Sequence, residues 1–278
     1  MSESYQFKKV LITGGSSGIG LALAKALAAE GAHLFIIARK NSLLDSIAID
    51  LKTRHRSCEV DLIPCDISDT DQIRNTAAVI RSKTSVVDLL INNAGYATYE
   101  LFEELTYEEM AKLATTNFNG HIAITFALMD LVRSAKSGHI CFVNSIAAEI
   151  PITPNLVYGA SKRGLDGFAN LLRHELRVHG INVTSVFPGR VVTPFFDGPT
   201  FRNRTGGIER KLTTSVTVVS EKIIAGLKKR KKKIYVPQYW RVISYLYRSD
   251  PLISEKIFDV ILAARLKRFR QHLKESDN

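Results

Sequence analysis

The chain has 278 residues, 45% of them hydrophobic, and a mean hydropathy of +0.01. That is enough chain for one sizeable core, which excludes a disordered or fibrous protein. The formal net charge is +11, but fifteen Lys/Arg against six Asp/Glu between Glu221 and Asn278 account for +9, so the first 220 residues carry only +2.

Val10-Leu-Ile-Thr13 reads as a short buried parallel strand. It runs into Thr13-Gly-Gly-Ser-Ser-Gly-Ile-Gly20 and then a helix of strong formers, Leu21–Glu30, stopped by Gly31. A strand, a glycine turn and a helix in that order form the dinucleotide-binding context. Glycines let the backbone approach a pyrophosphate, and the N–H groups at the helix start stabilise its charge. The next strand, His33–Ala38, ends in Arg39-Lys40 with no acid. An acid there would bind a ribose 2′-hydroxyl, whereas a guanidinium pairs with a 2′-phosphate, so NADP(H) is expected over NAD(H).

Strand-like and helical stretches then alternate: 58–64, 69–83, 86–91, 106–133, 139–144, 158–178 and 181–187. This rhythm predicts an α/β fold, a doubly wound, seven-stranded parallel sheet. Tyr158-Gly-Ala-Ser-Lys162 opens one of the helices, with Ser145 thirteen positions upstream. A tyrosine normally keeps its proton to about pH 10. A lysine one turn away favours the phenolate and makes the tyrosine a usable general acid/base.

These motifs resemble the short-chain dehydrogenase/reductase family from about Lys8 to Pro237. The glycine motif, Asn92-Asn-Ala-Gly95, Asn117, Ser145, Tyr158, Lys162 and Pro188-Gly-Arg-Val-Val-Thr193 occur in the family's order. The resemblance implies a ketone/alcohol oxidoreductase with Asn117, Ser145, Tyr158 and Lys162 as catalytic residues. Tyr158 would exchange the proton, Ser145 orient the substrate oxygen, and Asn117 hold a water. Lys162 would bind the nicotinamide ribose. The implied cofactor set begins with Gly14, Ser16, Ser17, Gly18, Ile19 and Gly20. It continues through Arg39, Lys40, Asp66 and Ile67 to Asn92, Ala94 and Gly95, and ends with Pro188, Gly189, Val191 and Thr193. One departure stands out: Ile146-Ala-Ala-Glu149 lacks a glycine that many relatives carry near the serine.

Cys58, Cys65 and Cys141 have no metal-ligand spacing and the seven histidines are scattered, so no metal site is expected. Reduced cysteines, no room for a leader before the first strand and no long apolar run together predict a cytoplasmic protein. The catalytic domain is expected over 1–237, with an extension over 238–278. In that extension Tyr239, Trp240, Tyr245 and Tyr247 precede a helix from about Leu252 to Leu273. Ile253, Ile257, Val260, Ile261 and Ala264 lie along one side, and Phe258, Leu262, Phe269 and Leu273 are read as widening that stripe. With the six cations Lys228–Lys233, the extension is a candidate for an anionic membrane surface. The competing reading packs the stripe on the sheet or on a partner subunit; nucleic acid is not expected.

Phe195, Phe196 and Phe201, with Gly206-Gly207 as hinges, suggest an apolar lid over residues 190–213. A bulky or lipid-like ketone is the expected substrate: a 3-keto sphingoid base, a 3-oxoacyl chain or a sterol. Dehydrogenation of small polar alcohols is the alternative. A catalytically silent nucleotide-binding regulator is a third reading, which the complete Ser145–Tyr158–Lys162 set opposes. Apolar residues on several sides of 106–133 and 158–178, where relatives pair, make a homodimer or homotetramer the expectation.

Overall fold

Apolar strands alternating with amphipathic helices bury best as one parallel sheet covered on both faces. The computed structural model, which describes residues 7–39, 43–55, 58–197, 199–202 and 213–276, has that architecture. In its first half β1 (Lys9–Thr13), α1 (Gly18–Ala29), β2 (His33–Ala38), α2 (Leu43–Arg54), β3 (Val60–Pro64), α3 (Thr70–Lys83) and β4 (Leu89–Asn92) alternate strictly. Next come α4 (Tyr107–Ala114), α5 (Gly120–Ala127), α6 (Met129–Arg133), β5 (His139–Val143), α7 (Leu156–Leu176) and β6 (Asn182–Pro188). The last third holds the short β7 (Arg190–Val191), α8 (Pro199–Arg202) and β8 (Thr213–Thr214). It closes with α9 (Val216–Lys228), β9 (Lys233–Val236), α10 (Tyr239–Ser249) and α11 (Pro251–Ser276).

The main sheet has seven strands in the order β3-β2-β1-β4-β5-β6-β9, and every pairing is parallel. Because side chains alternate across a strand, β1 sends Val10 and Ile12 to one face and Leu11 to the other. Val10 and Ile12 join Leu23 and Leu27 of α1 and Val219, Ile223 and Leu227 of α9. Leu11 joins Ile73 and Ile80 of α3, Ile124 of α5, and Leu165 and Leu172 of α7. The chain reverses direction across the sheet between β1 and β4, which opens a crevice at the carboxyl ends of these strands.

Three differences from the sequence reading stand out. The stretch 106–133 is not one helix: a π-turn, Thr115–Asn119, interrupts it, and α5 ends before Leu128. Gly120 explains the close packing there, since a Cβ would lie 2.3 Å from the Ile67 carbonyl oxygen. The Tyr239–Ser249 aromatics form a helix of their own, paired with α11 through a Tyr247–Phe258 ring contact at 4.8 Å. The third concerns the cation run, which is split: Lys233 meets Arg248 of α10 at Glu149, whereas its start lies elsewhere. Lys228 pairs with Glu30 at 2.7 Å and Arg230 bonds Ser137 at 2.6 Å, near the amino ends of β2 and β5.

Candidate active site

The glycine turn is held between Thr13 at the end of β1 and the segment that follows β4. Thr13 Oγ1 accepts hydrogen bonds from the backbone N–H groups of Asn93 (2.9 Å) and Ala94 (3.1 Å). The Asn93 amide donates to the carbonyls of Thr13 and Gly14, both at 3.1 Å. Gly14, at φ +67°, passes so close to this segment that a Cβ would lie 2.7 Å from Ala94 Cα. Gly18 also has a positive φ, +52°. Ser17 supplies no side-chain cap to α1, so the first N–H groups of the helix are left for an anionic ligand.

From this turn a cavity of about 870 Å³ runs past Arg39, Asp66 and Ile67 to Ser145 and Tyr158. Gly14, Ser16, Ser17, Gly18 and Ile19 line its start, and Ala94, Gly95 and Lys162 its middle. Pro188, Gly189, Val191 and Thr193 close it from the β6–β7 side. Gly20 and Asn92 do not line it. Gly20 packs behind the turn, where a Cβ would meet the Gly14 carbonyl oxygen at 2.2 Å. Asn92 is fully buried, its amide donating to Thr125 Oγ1 at 2.9 Å, and Asn93 takes the lining position instead. Lys40 and Gly206-Gly207 lie outside the described residues.

Asn117 sits in the π-turn, fully buried, and clamps Tyr96: its Oδ1 accepts from the Tyr96 N–H at 3.1 Å and its Nδ2 donates to the Tyr96 carbonyl at 2.7 Å. Asn119, which could compete with it on sequence, is exposed. A Cβ on Gly95 would lie 2.7 Å from Asn117 Oδ1 and 3.7 Å from Lys162 Nζ, so the two side chains converge on that glycine.

Ser145 caps a short 3₁₀ turn, Ile146–Ala148, accepting from the Ala147 N–H at 3.2 Å, and it hydrogen-bonds Tyr158. Tyr158 and Lys162 share one face of α7, with Lys162 Nζ 5.9 Å from the tyrosine ring centre. Here the electrostatics differ from the expectation. Burial pushes Tyr158 up to about 12, against the Ser145 hydrogen bond, so the phenol holds its proton firmly. Burial also brings Lys162 down to about 8, and its ammonium donates to the Val143 carbonyl at 2.9 Å instead of approaching the phenol.

The run lacking the familiar glycine has its own support. Glu149 is a buried carboxylate that accepts from Lys233 Nζ (2.8 Å), Tyr235 Oη (2.9 Å) and Arg248 Nη2 (3.0 Å). Those cations keep it ionised, against the burial that opposes ionisation. Through this cluster β9 and α10 hold the Ser145 turn.

Beyond Tyr158 the cavity is walled by Tyr99, Phe195, Phe196, Phe201 and Trp240, with Arg190 and Arg265 also lining it. Tyr99, Phe201 and Phe269 pack as a buried trio, with Tyr99 5.4 Å from each of the other two rings. Arg190 lies 4.2 Å over the Phe196 ring. Tyr99, Trp240 and Arg265 were not foreseen as lining residues, because they belong to no contiguous motif. Asn144 was missed too. It is 2% exposed, lines the cavity beside Ser145, and its amide has no hydrogen-bond partner among the described residues. An orphaned buried amide at one end and uncapped helix N–H groups at the other fit a long polar ligand such as a dinucleotide. Among the described residues no His/Cys/Asp/Glu cluster could hold a metal, and no helix is long and apolar enough to cross a membrane.

Comparison with known proteins agrees with this geometry. The family model described as short chain dehydrogenase matches residues 8–200. A fatty acyl-CoA reductase from Acinetobacter baylyi is 30% identical over 263 residues, covering 93% of this chain and 85% of that protein. The 11-beta-hydroxysteroid dehydrogenase-like 2 protein of Arabidopsis thaliana is 30% identical over 266 residues, covering 95% and 85%. Two solved structures share the fold. A short-chain dehydrogenase from Sphingobium yanoikuyae in complex with NADPH superposes with a TM-score of 0.77 at 24% identity, covering 87% of this chain and 94% of that one. One from Burkholderia phymatum in complex with NAD superposes with a TM-score of 0.79 at 21% identity, covering 90% and 96%. A Rossmann-type sheet, a glycine turn opening on a cavity and a Ser–Tyr–Lys set beside it, joined to these matches, make this chain a member of the short-chain dehydrogenase/reductase family, a nicotinamide-dependent oxidoreductase.

Proposed function

We propose that the protein reduces a bulky, apolar or lipid-like ketone to a secondary alcohol with NADPH. The observation that carries this reading is the aromatic wall of Tyr99, Phe195, Phe196, Phe201 and Trp240 beyond Tyr158. Such a wall favours burial of apolar surface and offers a small polar alcohol few partners. The names of two relatives, a fatty acyl-CoA reductase and a hydroxysteroid dehydrogenase-like protein, point the same way. Arg39 lines the cavity at the end of β2, where many dinucleotide folds carry an acid, and a guanidinium there supports a 2′-phosphate and hence NADP(H).

A reduced nicotinamide, when bound, supplies the hydride. In the proposed reduction Tyr158 donates its hydroxyl proton to the carbonyl oxygen while Ser145 hydrogen-bonds the same oxygen and fixes its position. Lys162 stabilises the phenolate that remains, and Asn117 holds the Tyr96 segment beside it. Exposed Phe126 on α5, Leu171 on α7 and Val178 just beyond α7 support pairing of subunits through these helices.

Following NADPH absorbance with methyl ketones of increasing chain length tests the reading. Specificity constants that rise with chain length support it. Turnover confined to short polar ketones or alcohols would instead favour the small-metabolite alternative.

A further inference from the structure

Helix α11 has two apolar faces, and only one is covered. Phe269 is buried against Tyr99 and Phe201, Phe258 packs on Tyr247, and Arg265 Nη2 donates to Tyr99 Oη at 3.2 Å. These residues hold the helix on the body of the protein, and Arg265 lines the cavity. Phe258, Leu262 and Phe269 therefore do not widen the stripe of Ile257, Val260 and Ile261; they lie on the opposite side of the helix. The stripe itself is bare, with Val260 72% exposed. The neighbouring α10 leaves Val242, Tyr245 and Leu246 exposed at one-turn spacing.

Between Glu255 and Lys267 the charges on α11 are sorted. At 3.6 residues per turn, Lys256, Ile257, Val260, Ile261, Ala264 and Lys267 share a sector of roughly 140°. Glu255 and Asp259 project outside that sector, on its flank. Lys256 and Lys267 are exposed, so an apolar stripe here carries cations within it and acids beside it. Lysine is depleted from the centres of protein–protein interfaces, where its ammonium would have to be desolvated. At a lipid surface the aliphatic stem lies along the apolar boundary while the ammonium reaches anionic headgroups.

We propose that the outward face of α11, with the exposed side of α10 beside it, docks this protein on an anionic lipid surface. The helix lies in the plane of the interface with Ile257, Val260 and Ile261 among the acyl-chain ends and Lys256 and Lys267 at the phosphates. Its inner side then presents the aromatic cavity, through Arg265 and Phe269, to molecules drawn from that surface. The inference rests on the bare face and its charges, not on the reaction proposed above.

Flotation of the full-length protein with phosphatidylcholine vesicles, with and without phosphatidylserine, tests it, with turnover of a soluble short ketone followed in parallel. The wild type should float with the phosphatidylserine vesicles and stay largely behind with phosphatidylcholine alone. The pair Ile257→Glu, Val260→Glu and the pair Lys256→Glu, Lys267→Glu should each lower the bound fraction at least about tenfold while short-ketone turnover is unchanged. Wild type that ignores both vesicle types, or variants that float as well as wild type, would overturn the proposal. A solution dimer that Val260→Glu dissociates, without any flotation, would overturn it in favour of a second copy of the chain.

Discussion

The two ends of the cavity are built in different ways. Its cofactor end is made from backbone: a glycine turn, the start of α1, the carboxyl ends of β1, β2 and β4, and the Pro188-Gly189 corner. Each part comes from a few consecutive residues and is braced by hydrogen bonds between adjacent strand ends, such as Thr13 with Asn93 and Ala94. Its far end is made from side chains that meet from distant segments, with Tyr99, Phe201, Trp240 and Arg265 all lining it. The first end is therefore fixed by what every dinucleotide shares, and the second is free to vary with substrate shape.

That division predicts separable losses. Phe269→Ala should have the largest effect. Removing a ring that is 2% exposed should cost about 3–5 kcal/mol of local stability. The Michaelis constant for a bulky ketone should rise while the dissociation constant of NADPH, read by fluorescence, stays put. A matching loss of NADPH affinity would mean that the two ends are not independent. Arg39→Asp is the converse. Loss of a charged phosphate contact worth about 1.5–3 kcal/mol should weaken NADPH by roughly ten- to a hundredfold and leave NADH and the ketone nearly unaffected. Unchanged NADPH kinetics would remove the 2′-phosphate assignment.

A pH effect belongs to neither end. His121 and His139 are fully buried, and burial lowers each to about 3. Their folded pKa lies below the unfolded value, so between these values the unfolded chain binds more protons. The stabilisation present above about pH 6.5 is lost as pH falls, by about 1.4 kcal/mol per pH unit for each histidine at most. Urea titrations at descending pH should show the midpoint falling below pH 6.5. Replacing His139 by an uncharged residue should flatten that slope even if the variant is less stable overall.

The same division explains what could be read from the chain. The strands of the main sheet were legible to within a few residues because each is a short apolar run bounded by turn formers, as in Val10–Thr13 and His33–Ala38. The order of Gly14, Ser145, Tyr158 and Lys162 was legible because the chemistry ties these residues to strand ends and to one helix face. Helix α9 left a signal that went unused: Ser215 caps it, and Val219, Ile223 and Leu227 recur at helical spacing. Apart from Phe195, Phe196 and Phe201, the aromatic wall left no such signal. Tyr99 and Phe269 are 170 positions apart, and only the folded hairpin of α10 and α11 brings them together. The direction of the Tyr158 shift was hidden for the same reason, since spacing along α7 reports Lys162 as a neighbour but not the burial that outweighs it.

Single-turnover oxidation of NADPH by a long-chain ketone, in wild type and in Tyr158→Phe, tests the central claim most directly. Loss of the phenolic proton should slow the chemical step by about 10²–10⁴-fold while NADPH binding, read from its fluorescence, is nearly unchanged. A variant that oxidised NADPH at the wild-type rate would contradict the account, because the proton would then come from some other group.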